Sequence, residues 1–437
     1  MIVEIKVKNY RSYKEEASLT FEALDESFNS ESVAEVQLED GSTKRLLKTA
    51  AILGPNASGK SNIARALSDV MFLAANSRDF DVKQGVPVYQ PFLLDKVCRM
   101  SPSTITIVFV VDHRQYRYSI SYNHQLFLEE TLHEIEKEQD VLVFGRSLNN
   151  EGNGYELSFG KGWKSTSLDL SNMNLLPNQL ILSELGKREA NGLQYVYGEL
   201  RGIQSKMVDN ALDMRENNSY VAGTILKNEQ SRLFQQLKKL LMVADGNITD
   251  IKMREHDDSE FNFPDSVPSE VKQSFIAQNR WEFRFVHKGQ NGSVAFPISL
   301  ESTGTKNLFS VGTNVLNILS TGGMLVYDEM NVAMHPLLFR LLVRLFHSKK
   351  TNPHDAQLLF TTHDVSIVGD SLMRADQIWL AQKDEHGQSE LYSVQDFEDV
   401  SIVMPFDEWY KSGRFGALPV FSDIEKVFTN APEDENA

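Results

Sequence analysis

The eight residues Gly54-Pro55-Asn56-Ala57-Ser58-Gly59-Lys60-Ser61 constrain this chain more than any other segment, because they fit G-x-x-x-x-G-K-[ST] at every fixed position. Glycine at the first and sixth places lets backbone N–H groups approach phosphate oxygens. The lysine reaches the β/γ oxygens, and the serine hydroxyl is a ligand for Mg²⁺. The flanks agree with that reading. The apolar run Ala50-Ala51-Ile52-Leu53 precedes the loop and Asn62-Ile63-Ala64-Arg65-Ala66-Leu67 follows it, which makes a strand, a loop and a helix whose N-terminal dipole faces the loop. A glycine-rich turn of similar spelling would not require those neighbours.

A second chemical element lies far downstream. Met324-Leu325-Val326-Tyr327-Asp328-Glu329 is an apolar strand ending in two carboxylates, where Asp328 would hold Mg²⁺ directly or through water and Glu329 would polarise the attacking water. Alone, such a run is also an ordinary solvated strand end; the phosphate loop upstream selects the catalytic reading. Everything from 62 to 323 separates the two halves, so the ATPase fold is expected to be split around inserted lobes. Two weaker features accompany them. Ser302-Thr303-Gly304-Thr305 precedes a helix and reads either as an anion site or as a plain N-cap. His363 follows the apolar run Gln357 to Thr361, a position where a histidine is commonly a loop residue.

Periodicity organises the rest. Short strands are expected at Ile2 to Lys8, Ala17 to Glu22, Val33 to Leu38 and Leu46 to Leu53, with Asp40-Gly41 as a turn, and Ser61 to Ala75 reads helical. Thr104 to Val111 and Tyr116 to Tyr122 alternate around Asp112-His113-Arg114-Gln115 as a hairpin does. Between Pro177 and Ala244 the texture turns helical, with Leu226, Leu233, Leu237, Leu240 and Ala244 on one face. Two antiparallel helices of ~30 residues would reach only ~45 Å, a lobe and not a long arm. His256 to Ser269 reads as loop, and Trp281 to His287 as strand. The series Val294 to Ile298, Lys306 to Leu319, Met324 to Tyr327, Pro336 to His347 and Gln357 to Thr361 alternates strand and helix, as a covered parallel sheet does. Gln377 to Gln382 and Glu390 to Val394 form a terminal hairpin, and Ala431 to Ala437 a solvated acidic end. The expected fold class is therefore α/β, with a β-rich N-terminal ATPase lobe (1–165), a helical insertion (166–250) and a C-terminal ATPase lobe (251–437).

Composition narrows the function. The 437 residues carry 44 Lys and Arg against 60 Asp and Glu, a formal charge of −16, which argues against a surface that coats nucleic acid or anionic lipid. A local basic channel at Lys227, Arg232, Lys238 and Lys239 stays open as a DNA contact. Cys98 is the only cysteine, so an intrachain disulfide and a cysteine-rich zinc cluster are excluded. The N-terminus alternates like a strand, and no segment approaches the ~20 apolar residues of a membrane span. A soluble cytoplasmic protein without membrane contact is expected.

The order of phosphate loop, Ser-Thr-Gly-Thr segment, Asp-Glu strand and Thr-His-Asp resembles ABC-type ATPases of the RecF, SMC and overcoming-lysogenization-defect group. Asn9-Tyr10-Arg11-Ser12-Tyr13, Gln90-Pro91-Phe92, His335-Pro336 and Arg414-Phe415-Gly416-Ala417-Leu418-Pro419 are similar to a narrower bacterial group of stand-alone ATPases in abortive-infection and PARIS-type anti-phage operons; Met334 stands where that group usually has Leu. The resemblance implies ATP and Mg²⁺ as cofactors, with triphosphate bound by Gly54 to Ser61, Mg²⁺ by Ser61 and Asp328, and Glu329 as base. His363 would sense the γ-phosphate, Arg11 and Gln90 would add contacts, and Ser302 and Gly304 would meet nucleotide held by another protomer. It further implies a homo-oligomer, a nucleotide switch, and a separately encoded effector. A DNA-binding ATPase of repair or maintenance is the alternative.

Overall fold

The computed structural model describes residues 1–24, 28–152, 154–160, 175–186, 193–206, 218–330, 334–367, 372–398, 400 and 406–418. Its N-terminal part is a seven-stranded antiparallel sheet. Strands β1 (Ile2–Lys8) and β2 (Ala17–Thr20) lie at one side, followed by β6 (Ser103–Val111), β7 (Arg114–Tyr122), β8 (Phe127–Glu136), β9 (Gln139–Leu148) and β10 (Tyr155–Phe159), in the order β10-β9-β8-β7-β6-β1-β2. Alternation drives it: Ile105, Ile107 and Phe109 point inward opposite Tyr116, Tyr118 and Ile120. Asp112 and His113 close the β6–β7 hairpin with φ of 50° and 61°, the left-handed pair that a two-residue turn demands. A two-stranded ribbon, β3 (Val33–Gln37) with β4 (Thr43–Leu47), stands beside it.

The second sheet carries the phosphate loop. Its order is β11 (Gln204–Lys206), β15 (Met324–Tyr327), β16 (Gln357–Thr361), β5 (Thr49–Leu53), β17 (Ile378–Lys383) and β18 (Ser389–Ser393), parallel except for the last pair. Every residue of β5, β15 and β16 is buried, as befits parallel strands covered on both faces. Helix α1 (Lys60–Asn76) presents Ile63, Leu67, Val70 and Ala74 along one buried stripe. It packs against α2 (Ile181–Leu185) and α3 (Leu193–Arg201).

Several expectations change. Leu46 to Leu53 is two strands: Lys48 turns inward, 3.0 Å from Asp355, and the chain passes there from ribbon to parallel sheet. The face drawn from Leu226 to Ala244 is broken into α4 (Asn218–Leu226) and α5 (Arg232–Ala244), because Lys227 adopts φ 66° and Ser231 caps the second helix by accepting Phe234 N–H. Val294 to Ile298 leaves the parallel series. As β14 (Gly292–Pro297) it closes a separate antiparallel sheet with β12 (Ile248–Glu255) and β13 (Trp281–Gly289), joined by the Gly289–Gly292 turn. The helical stretch 166–250 also contributes β11, an edge strand of the phosphate-loop sheet, so it is woven into the head. Helix α6 (Ser269–Asn279) follows the loop before β13. Helices α7 (Thr303–Thr321), α8 (Pro336–His347) and α9 (Phe406–Lys411) complete the described elements. The expected acidic end, Ala431 to Ala437, and Pro419 lie outside the described residues. Among the described residues no helix is long and apolar enough to cross a membrane.

Candidate nucleotide site

The phosphate loop is shaped from behind. Gly54 and Gly59 adopt φ of +148° and +106°, and a Cβ on them would lie 2.2 Å from the Ala381 carbonyl oxygen and 2.3 Å from Ser389 Oγ. Glycine is thus required by the conformation and by the hairpin of β17 and β18 that backs the loop. Ser389 Oγ lies 2.7 Å from both the Ser58 carbonyl and Ser12 Oγ, Asn62 donates to Ser12 Oγ at 2.7 Å, and Tyr13 Oη donates to the Gly59 carbonyl at 3.2 Å. The Asn9-to-Tyr13 turn and the last hairpin therefore clamp the loop to the start of α1. Asn56 and Ala57 stay exposed at its tip, beside half-buried Pro55.

Lys60 bends over the loop and donates to the carbonyls of Gly54 and Pro55 at 2.7 and 2.8 Å. Burial lowers its pKa from the ordinary lysine range, with Glu329 and then Asp328 acting to raise it. The Ser58 hydroxyl is buried and, among the described residues, has no hydrogen-bond partner. An ammonium resting on carbonyls and an orphaned hydroxyl in the same loop fit an anion with several oxygens.

Strand β16 lies between β5 and β15, and its end ties the two together. Ser61 Oγ donates to Asp328 Oδ1 at 2.7 Å, Thr361 Oγ1 donates to the same oxygen at 2.5 Å, and the Glu329 amide donates to Thr361 Oγ1 at 2.9 Å. The 2.7 Å spacing of hydroxyl and carboxylate is close to the ~3 Å edge of an octahedron of oxygens ~2.1 Å from Mg²⁺. One carboxylate with one hydroxyl, the remainder supplied by phosphate and water, is the usual donor set for Mg²⁺ in such sites. Asp328 and Ser61 would hold it. Glu329 stands half-buried with φ 47°, the left-handed region, next to this cluster.

The remaining residues divide. Arg11 and Gln90 are brought together: the Arg11 amide donates to the Gln90 carbonyl at 2.7 Å. Arg11, itself at φ 53°, donates from Nε to Tyr10 Oη at 3.1 Å, and Tyr10 donates to Asp69 of α1 at 2.6 Å. Burial pushes the Tyr10 hydroxyl's pKa well up, so it stays a donor to Asp69. Gln90 itself is exposed, as is His363 beyond β16. Ser302 is the N-cap of α7, its Oγ accepting Thr305 N–H at 3.1 Å; it is exposed and Gly304 is half-exposed. Helix α7 packs on α4, α5, β15 and α8. Of the basic residues considered for DNA, Lys238 is paired with Asp250. Sequence reasoning missed Thr361, Ser389 and Ser12 as parts of the site. Thr361 and Ser12 sit inside segments already singled out, whereas nothing local marks Ser389.

The chain is similar to several known proteins. Three solved structures align over most of the chain: an SMC head bound to the C-terminal winged-helix domain of ScpA (12% identity, TM-score 0.46, 90% of this chain and 97% of that one); the SMC head domain from Thermotoga maritima (13%, 0.40, 90% and 98%); and an SMC head with an extended coiled coil bound to the C-terminal domain of ScpA derived from Pyrococcus furiosus (11%, 0.39, 95% and 98%). No curated protein matches the sequence. A family profile described as AAA domain, putative AbiEii toxin, Type IV TA system matches residues 50–369, which include the phosphate loop, Asp328, Glu329 and His363. The chain belongs to this AAA-domain family of P-loop proteins.

Proposed function

We propose that the protein binds ATP with Mg²⁺ and hydrolyses it, that two copies complete each site, and that the nucleotide state controls a separately encoded effector in an anti-phage system. The observation that carries this reading is the convergence of Lys60, Ser61, Asp328, Thr361 and Glu329 at the ends of three adjacent strands. Bound Mg²⁺ supplies neutralisation of charge on the β/γ oxygens. The chain's own groups do the rest. Lys60 leaves its two carbonyls for phosphate oxygens, Glu329 takes a proton from the attacking water, and Arg11 adds positive charge beside α1. Exposed Ser302 and half-exposed Gly304 serve the nucleotide of the second copy, and His363, beyond the end of β16, senses the γ-phosphate. The family's description as a toxin–antitoxin component supports the effector part, and a cytoplasmic setting accompanies it.

The test is phosphate release from ATP by the purified chain with Mg²⁺ or with EDTA, alongside solution mass with and without ATP, and again with the product of the neighbouring gene. Mg²⁺-dependent turnover and an ATP-dependent gain in mass support the reading. Absence of both rejects it.

A further inference from the structure

We infer that Thr361 is the positioning residue of the catalytic pair: its one hydroxyl fixes both the carboxylate of Asp328 and the backbone of Glu329. This deepens the proposed ATPase reading and rests on it. Three observations converge. Thr361 is fully buried at the last position of β16, the strand between the phosphate-loop strand and the Asp-Glu strand. Its Oγ1 donates to Asp328 Oδ1 at 2.5 Å and accepts the Glu329 amide at 2.9 Å. Glu329 has φ 47°, a region that a glutamate leaves unless something holds it there.

The second contact supplies that restraint. The strand ends at Tyr327 and a turn begins at Asp328, and the Glu329 amide, past the end of the ladder, is taken by the threonine. The first contact orients the carboxylate. Both the Ser61 and Thr361 hydroxyls point at the same oxygen, so when Ser61 turns to a metal ion, Thr361 still sets the rotamer of Asp328. A hydroxyl is required, because the site needs one donor and one acceptor on a single small atom. Serine retains both functions. Valine has the same shape and neither.

Thr361 lies two residues before His363. Thr361 acts through Asp328 and Glu329, the two residues its hydroxyl touches.

The experiment compares Thr361→Val with Thr361→Ser in the full chain, by two readouts. The first needs no nucleotide: amide hydrogen exchange of the segment containing Glu329. Loss of the acceptor should speed its exchange on the order of 10-fold in the valine variant and leave the serine variant near wild type, with both melting as cooperatively as wild type. The second is steady-state hydrolysis. The valine variant should lose kcat on the order of 100-fold while ATP affinity stays within about 3-fold, and serine should recover most of kcat. Unchanged exchange in Thr361→Val overturns the inference. So does faster exchange with normal kcat, or a fall in affinity that matches the fall in kcat. If the wild type hydrolyses nothing, the ATPase reading fails, and the exchange arm alone decides whether Thr361 holds the pair.

Discussion

Asp328 and Ser302 sit in opposite surroundings. Around Asp328, two hydroxyls close on one carboxylate oxygen within 2.7 Å in a pocket of buried strand ends. Among the described residues Ser302 bonds to its own helix, at Thr305 and Lys306, and Leu300, Val294 and Phe296, upstream of it in the chain, are exposed at 70%, 53% and 38%. Asp328 finds its partners inside the chain, so its surroundings are assembled by folding alone. An exposed helix start flanked by exposed apolar side chains is instead suited to meeting another surface. In the proposed composite site the first region is the half that one chain finishes by itself, and the second is the half that is borrowed from another copy.

The largest effect should come from removing the charge that the finished half supplies. Lys60→Ala leaves the loop without its ammonium, and nucleotide affinity should fall at least about 100-fold, with turnover lost. Calorimetric titration with ATP checks it, and full retention of affinity would remove the phosphate loop from the reading. Glu329→Gln comes next. It keeps the loop, Mg²⁺ ligands and backbone, so ATP should bind normally while hydrolysis drops on the order of 100-fold or more and the ATP-bound oligomer accumulates. Wild-type turnover there would take Glu329 out of the base role.

A mixing experiment addresses the comparison itself. Ser302→Arg should bind ATP as well as wild type yet hydrolyse it poorly, because the blocked surface belongs to the partner's site. Mixed with Lys60→Ala, it should regain up to about a quarter of wild-type activity, since half of random dimers are mixed and each holds one intact site of two. If Ser302→Arg retains full activity alone, or the mixture regains none, the two regions do not combine across copies.

The asymmetry also explains what could be read from the sequence. The phosphate loop, Asp328 and strands β5, β15 and β16 were legible because their chemistry fixes residue types at fixed spacing beside continuous apolar runs. Strands β8 to β10 were not. Glu129, Glu130, Glu134 and Glu136 break the alternation of β8, Glu130 is buried with its pKa raised by burial, and the register slips at Leu132 and His133. Strand β11 is only three residues long and has no pattern of its own. Thr361 and Ser389 were invisible as site residues for another reason: each acquires its role from groups distant in the chain, the one from Asp328 and the other from Ser12 and Ser58. Ser302 was legible only as two alternatives, and within one chain the N-cap is the one that is made.

The smallest expected effect probes the buried region alone, through His347 at the end of α8. Its Nε2 lies 3.0 Å from Thr49 Oγ1, at the start of the phosphate-loop strand, and that hydroxyl accepts Gln377 Nε2 at 2.6 Å. The ring's partner here is thus a neutral hydroxyl and not a carboxylate that would favour the charged form. Burial first, then Lys48 and Arg344, lowers the His347 pKa to about 4 from 6.5. With the folded value depressed, the unfolded chain binds a proton that the native chain refuses as pH falls below about 6.5, and stability declines until about pH 4. Between pH 7 and 5 this amounts to about 2 kcal/mol. Urea unfolding at the two pH values should show it, and His347→Gln should flatten the slope by that amount whatever its absolute stability. An unchanged slope would mean that His347 accepts its proton in place, and that the strand carrying the phosphate loop is less tightly sealed than the geometry around Thr49 requires.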